Sequence, residues 1–168
     1  MEMWVSGEFE VEVWGCFTTH HHMRAGTRFL GELVLPALGK VGKFRFYDGR
    51  ELVVEKASWW RGWHELQENG IVIGSAQPLG FWGQRMTVGF RGRMYELSPA
   101  GFWSDSWRLI DESGTVVVEV RRRGFFRRKV RLAAHEAVSP DLVVFVYYLV
   151  NVRWQEQSAA AAAVAAGS

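Results

Sequence analysis

A closed antiparallel β barrel of about twelve strands enclosing a hydrophobic C-terminal helix is the fold this sequence predicts, from three observations. Short segments that alternate apolar and polar residues recur along most of the chain, each bounded by turn residues. Eighteen glycines among 168 residues supply those turns. Near the end, Ser139-Pro140-Asp141 opens the apolar run Leu142 to Val150. So many strands leave exposed edges unless the sheet closes on itself, which favours a barrel.

The elements follow in order. Phe9 to Trp14 alternates with the period of a half-buried strand. Arg28 to Leu35 and Lys43 to Tyr47 come next, and Asp48-Gly49 turns the chain into Glu51 to Glu55, because glycine tolerates the positive φ of a tight hairpin. Asn69-Gly70 does the same before Ile71 to Gly74. Met86 to Phe90 and Arg93 to Leu97 flank Gly92, and Trp103 to Ile110 and Thr115 to Val120 flank the 111–114 turn. Gly124 joins the last pair, Val116 to Arg123 and Phe126 to Leu132.

Ser139 is a good N-cap, Pro140 suits the first helical position, and Asp141 suits the positive end of the helix dipole. The β-branched content of 142–150 argues for a strand, but the capping signals favour a helix over about 139–154. A helix apolar on every face belongs in a core. The reading is therefore one domain over 1–157, followed by an alanine-rich tail, 158–168, which has helix propensity but no face to bury and is expected to fray or be disordered.

Composition excludes several classes. A net charge of +2 names no partner, and the single cysteine, Cys16, excludes an internal disulfide and a cysteine-built metal site. The acidic, alternating N-terminal segment has no signal-peptide apolar region, and the apolar run 142–152 is about half the roughly 20 residues that span a bilayer. The expectation is a cytoplasmic protein that is not transmembrane. Nine tryptophans, Trp4, Trp14, Trp59, Trp60, Trp63, Trp82, Trp103, Trp107 and Trp154, suit the interior and ends of a barrel.

The order of elements, strands first and a hydrophobic helix last, resembles the tubby C-terminal-like superfamily, which takes in tubby proteins, phospholipid scramblases and LURP-one-related proteins. The resemblance rests on Arg93-Met94-Tyr95-Glu96-Leu97, on Trp107-Arg108-Leu109-Ile110-Asp111 before Gly114, and on the run Ser139 to Trp154. It implies a barrel threaded by a helix; tubby proteins bind phosphoinositides and scramblases act at membranes, but no lipid-ligating residue of either aligns to a position of this chain. The cysteine cluster of scramblases is absent, so their activity does not carry over.

Catalytic signatures are missing: there is no phosphate-binding loop, nucleophile elbow or dinucleotide fingerprint. His64-Glu65 and His135-Glu136 begin like a zinc-protease motif, but Glu68 and Ser139 stand where the second histidine is required. Both are read as surface or boundary residues. His20 and His22 would share a strand face and, with a neighbouring carboxylate, could take up a metal. The cluster is read as an exposed loop, with no metal site and no cofactor. Cys16 is read as a small core residue rather than a nucleophile.

The sharpest local feature is a cluster of Arg121, Arg122, Arg123, Arg127, Arg128, Lys129 and Arg131 around Phe125 and Phe126 at a hairpin tip. Cations attract an anionic leaflet at about 1 kcal/mol each, and aromatic tips enter the headgroup boundary. The other reading is a solvated hairpin balanced by Glu119 and Asp111. Alternation places Arg127, Lys129 and Arg131 on one face, leaving Arg128 to sit beyond the rim or find a buried partner. The function expected is a non-catalytic binding or scaffold module for an anionic membrane surface or phosphoinositide. The alternative is a protein-interaction or structural barrel. Nucleic acid ranks below both, and an enzyme ranks third among the functions.

Overall fold

The computed structural model of the protein describes residues 4–36, 41–58, 61–80, 84–101, 105–123 and 128–167. Twelve strands precede one helix: β1 (Val5–Trp14), β2 (Thr18–Ala25), β3 (Arg28–Pro36), β4 (Val41–Phe46), β5 (Glu51–Ser58), β6 (Trp63–Glu68), β7 (Ile71–Leu79), β8 (Arg85–Phe90), β9 (Arg93–Pro99), β10 (Ser106–Asp111), β11 (Val116–Arg123), β12 (Lys129–Val138) and α1 (Pro140–Ala166). Each strand pairs antiparallel with the next, and β1 closes on β12 with Phe9 opposite Leu132. Closure removes the edges that twelve strands would otherwise expose.

Alternation decides which side chains face inward. Along β4, Gly42, Phe44 and Phe46 are buried while Val41, Lys43 and Arg45 are exposed. The outer wall is lined with charges, including Lys43–Glu51 and Arg85–Glu96 pairs, the reverse of a lipid-embedded barrel wall. α1 occupies the interior: every residue from Pro140 to Val150 is buried, and the helix and the inward strand faces form one core cluster. Val144, Phe145 and Tyr148 are almost fully enclosed, whereas Val152 is only partly buried because the helix is leaving the barrel there.

The two ends of the barrel differ. α1 enters where tight turns close the strand pairs, Asn69-Gly70 and Arg91-Gly92 among them, with positive φ at both residues of each turn. Arg91 takes φ 46°, a left-handed conformation uncommon for arginine, and its guanidinium reaches Asp141 at 2.9 Å. The helix leaves at the opposite end, where Glu156 meets Lys56 of β5 at 3.6 Å and Arg122 of β11 covers the Trp154 ring at 3.9 Å.

Three expectations need correction. His20-His21-His22 lies within β2 rather than in a loop, because His21 points inward and is hydrogen-bonded there. Residues 63–68 form a strand that the sequence pattern did not mark. The tail expected to be disordered continues as helix to Ala166, exposed throughout from Gln155, since alanine favours a helix already nucleated by its buried part.

Candidate functional site

The basic segment lies at the helix-exit end, on β11 and the start of β12. Most of its described cations are paired. Arg121 donates to Glu119 at 3.0 Å, Arg122 lies 3.9 Å from Asp105, Lys129 lies 3.4 Å from Glu12, and Arg131 reaches Glu10 at 3.5 Å. Asp111 does not take part: at the entry end, its carboxylate accepts hydrogen bonds from the Ser113 and Thr115 backbone N–H groups. A hydrogen bond from the Ser113 hydroxyl at 2.7 Å, together with those from the backbone, holds Asp111 below the usual carboxylate range.

Arg123 and Arg128 are exposed and have no carboxylate partner among the described residues. Alternation holds as far as it is described: Val130 is buried, Lys129 is exposed, and Arg128 lies just outside β12 at the rim. Gly124, Phe125, Phe126 and Arg127 lie outside the described residues.

Described aromatics at this end come from another connection. The Val13 N–H donates to the Arg128 carbonyl at 3.0 Å, which sets the β1–β2 connection beside the basic one. That connection presents Trp14, 54% exposed, and Phe17, 86% exposed. Trp63, at the start of β6 on the same rim, is also exposed. Trp14 and Phe17, on either side of Gly15 and Cys16, were the signal the sequence carried. Cys16 is exposed, not a core residue. Of the other described tryptophans, Trp107 and Trp154 are buried, and neither indole N–H meets an acceptor among the described residues.

The interior holds polar groups that sequence reading missed. The His21 and Tyr147 side chains meet at 2.5 Å, His21 Nε2 lies 2.8 Å from Thr19 Oγ1, and the Thr19 hydroxyl donates to the Leu35 carbonyl at 3.3 Å. A neutral imidazole donates from one nitrogen only. The chain therefore assigns the proton to Nε2 and makes Nδ1 the acceptor of the Tyr147 hydroxyl. His64, expected at the surface, is buried with Nδ1 3.1 Å from the Tyr148 hydroxyl. Burial lowers both imidazoles to about 4, with His20 adding to the effect on His21 and Lys56 and Arg153 adding to that on His64. The same burial raises the Tyr147 and Tyr148 hydroxyls.

On the outer wall, His20 and His22 meet Glu32 of β3 at 2.7 and 3.1 Å. Partial burial opposes ionisation of Glu32, but the two imidazole hydrogen bonds hold its pKa below the usual range. Among the described residues no group of three or more histidines, cysteines or carboxylates could hold a metal. A cavity of about 240 Å³ opens at the entry end between Trp4, Phe90, Arg93, Tyr95 and Leu142, far from the basic segment.

No family model, curated protein or solved structure matches the chain.

Proposed function

We propose that this chain is a non-catalytic binding module whose ligand is an anionic lipid surface, contacted at the helix-exit end of the barrel. The observation that carries the reading is the juxtaposition of Arg123 and Arg128, without carboxylate partners among the described residues, with exposed Trp14 and Phe17. Each such cation attracts a charged leaflet at about 1 kcal/mol, and the adjoining aromatics suit the headgroup boundary. The filled barrel also supports it, since α1 occupies the space that a substrate cavity would need. The resemblance to the tubby C-terminal-like superfamily points to the same ligand class, and the anionic lipids of the cytoplasmic leaflet are the surface proposed.

The test is co-sedimentation of the full chain with phosphatidylcholine vesicles, with and without phosphatidylserine or a phosphoinositide. Arg123→Glu with Arg128→Glu should weaken binding to anionic vesicles steeply, raised salt should mimic the change, and neutral vesicles should bind little. Wild-type protein that ignores anionic vesicles even at low salt overturns the reading.

A second reading is favoured by the pairing of Arg121, Arg122, Lys129 and Arg131 with Glu119, Asp105, Glu12 and Glu10. In that reading the segment is a solvated surface on a protein-interaction or structural barrel, and the same assay separates the two.

A further inference from the structure

Alternation fails at the end of β12, where His135, Glu136 and Ala137 are exposed in succession. The cause lies in the closure of the barrel. Gly7 pairs with Ala134 and Val5 with Val138, so residues 135–137 of β12 stand against Ser6 alone, and Gly7 takes φ 112°. A bulge of this kind re-aims side chains and loosens the ladder. Here it brings Glu136 to the entry end, beside the start of α1.

Glu136 borders two cavities, of about 240 and about 290 Å³, and shares both with Arg93 and Tyr95 of β9. The first has an apolar wall, with Trp4 53% exposed beside buried Phe90 and Leu142. The second is acidic, with Asp111 and Glu112 of the β10–β11 turn on its wall. Arg93 and Glu136 are exposed and oppositely charged, yet neither side chain makes an ion pair or hydrogen bond among the described residues. Tyr95 is only 8% exposed, and its hydroxyl also lacks a hydrogen-bond partner among them. That hydroxyl is not one of the unpartnered polar atoms sealed from solvent, so it opens into the cavities that the ring borders. Buried phenols ordinarily find a partner, and an unpartnered one facing a cavity is a group for a ligand to satisfy.

No ligand of one charge suits these walls. A simple anion on Arg93 would also meet Glu136, Glu112 and Asp111, and a simple cation among the carboxylates would meet Arg93. A ligand carrying both charges satisfies both sets, and its apolar part has the Trp4 and Leu142 wall to enter. Cavities below the usual range of about 300–1,000 Å³ admit only a small molecule. We propose that the entry end binds a free α-amino acid with an apolar side chain. Its carboxylate meets the Arg93 guanidinium and accepts from the Tyr95 hydroxyl, its ammonium meets Glu136, and its side chain packs against Trp4 and Leu142. The site lies at the opposite end of the barrel from the membrane contact and does not depend on it.

The experiment is calorimetric titration of the full chain with L-phenylalanine and L-leucine, both of which should bind saturably. Phenethylamine lacks the carboxylate, hydrocinnamate lacks the ammonium, and glycine lacks the apolar side chain. Each should bind about tenfold or more weakly than L-phenylalanine. Arg93→Gln should weaken L-phenylalanine by about tenfold without weakening phenethylamine, and Glu136→Gln should do so without weakening hydrocinnamate. Tyr95→Phe, which keeps the ring, should weaken it about threefold to tenfold. Arg93 and Glu136 are exposed, so thermal melts of their variants should match wild type and exclude misfolding. Arg123→Glu with Arg128→Glu, at the other end, should leave amino-acid binding unchanged. The site is overturned if neither amino acid binds, if the amine or the acid binds as tightly as L-phenylalanine, or if Arg93→Gln and Glu136→Gln bind like wild type. None of these results bears on the lipid reading, which stands or falls on the vesicle assay.

Discussion

Arg50, in the turn between β4 and β5, grips Asp141 in the first turn of α1 through two hydrogen bonds of 2.8 and 3.0 Å. Asp141 is 1% exposed and also accepts from Arg91, while Arg50 and Arg91 share Glu68. Two turns, far apart in sequence, thereby hold the helix N-terminus at one depth in the barrel. The Asp141 hydrogen bond is the largest cause that raises the Arg50 pKa, working against partial burial.

Asp141→Ala should therefore cost about 3 kcal/mol, because it leaves two guanidinium groups beside each other with Glu68 alone to neutralise them. Glu96→Gln, which breaks an exposed pair with Arg85 at 3.3 Å, should cost less than about 0.5 kcal/mol. Urea unfolding of the two variants checks the contrast, and comparable losses would mean that the Asp141 cluster adds nothing beyond a surface pair.

Stability should fall with acid before the carboxylates titrate. His21 and His64 are held at about 4 in the fold, below the ordinary value of about 6.5, so the unfolded chain binds protons first. Their contribution is complete above about pH 6.5 and is lost as pH falls toward 4, by up to roughly 3 kcal/mol for each histidine. Glu32, Glu51 and Asp111, all lowered, add a loss of the same sign at lower pH. Urea midpoints measured between neutral pH and pH 4.5 test this, and a flat profile would mean that the imidazoles are charged inside the barrel.

The packing of α1 against β7 gives a third test. Phe145 is fully buried with its ring against Gly74, where an added Cβ would come within 3.2 Å of the ring. Phe145→Ala should cost about 3–5 kcal/mol through the cavity it leaves. Gly74→Ala should cost about 1–3 kcal/mol by overpacking, and less in a Phe145→Leu background. Equal cost in both backgrounds would show that the two sites are not coupled.

The barrel was legible because its signals are local: alternation, glycine turns, and a cap of serine, proline and aspartate before an apolar run. β2 was hidden because one of its two buried residues is His21, whose partner Tyr147 lies on the helix, and nothing near His21 in sequence announces that bond. The cations were equally plain in the sequence, but their neutralisation was not. Glu8, Glu10 and Glu12 reach Lys129 and Arg131 only because β1 closes on β12, the longest-range pairing in the sheet. Trp14 and Phe17 stand on either side of Gly15 and Cys16 in the sequence, but nothing local tells an exposed aromatic from one that packs on the barrel mouth.

Beyond the barrel, α1 continues from Gln155 to Ala166 with every residue exposed. Among the described residues, the side chains of Arg122 and Lys56 meet it at Trp154 and Glu156. Deleting residues 158–168 keeps both contacts and removes helix whose described residues are exposed. The unfolding free energy should change by less than about 0.5 kcal/mol, while far-UV circular dichroism at 222 nm should lose helical signal. An isolated helix this short is marginal in water, so its signal depends on the buried part that nucleates it. Heating should therefore melt the tail gradually, before the cooperative barrel transition, and that early phase should vanish in the truncated chain. A fall of several degrees in the main transition on truncation, stronger at high protein concentration, would show instead that the tail packs between copies of the chain.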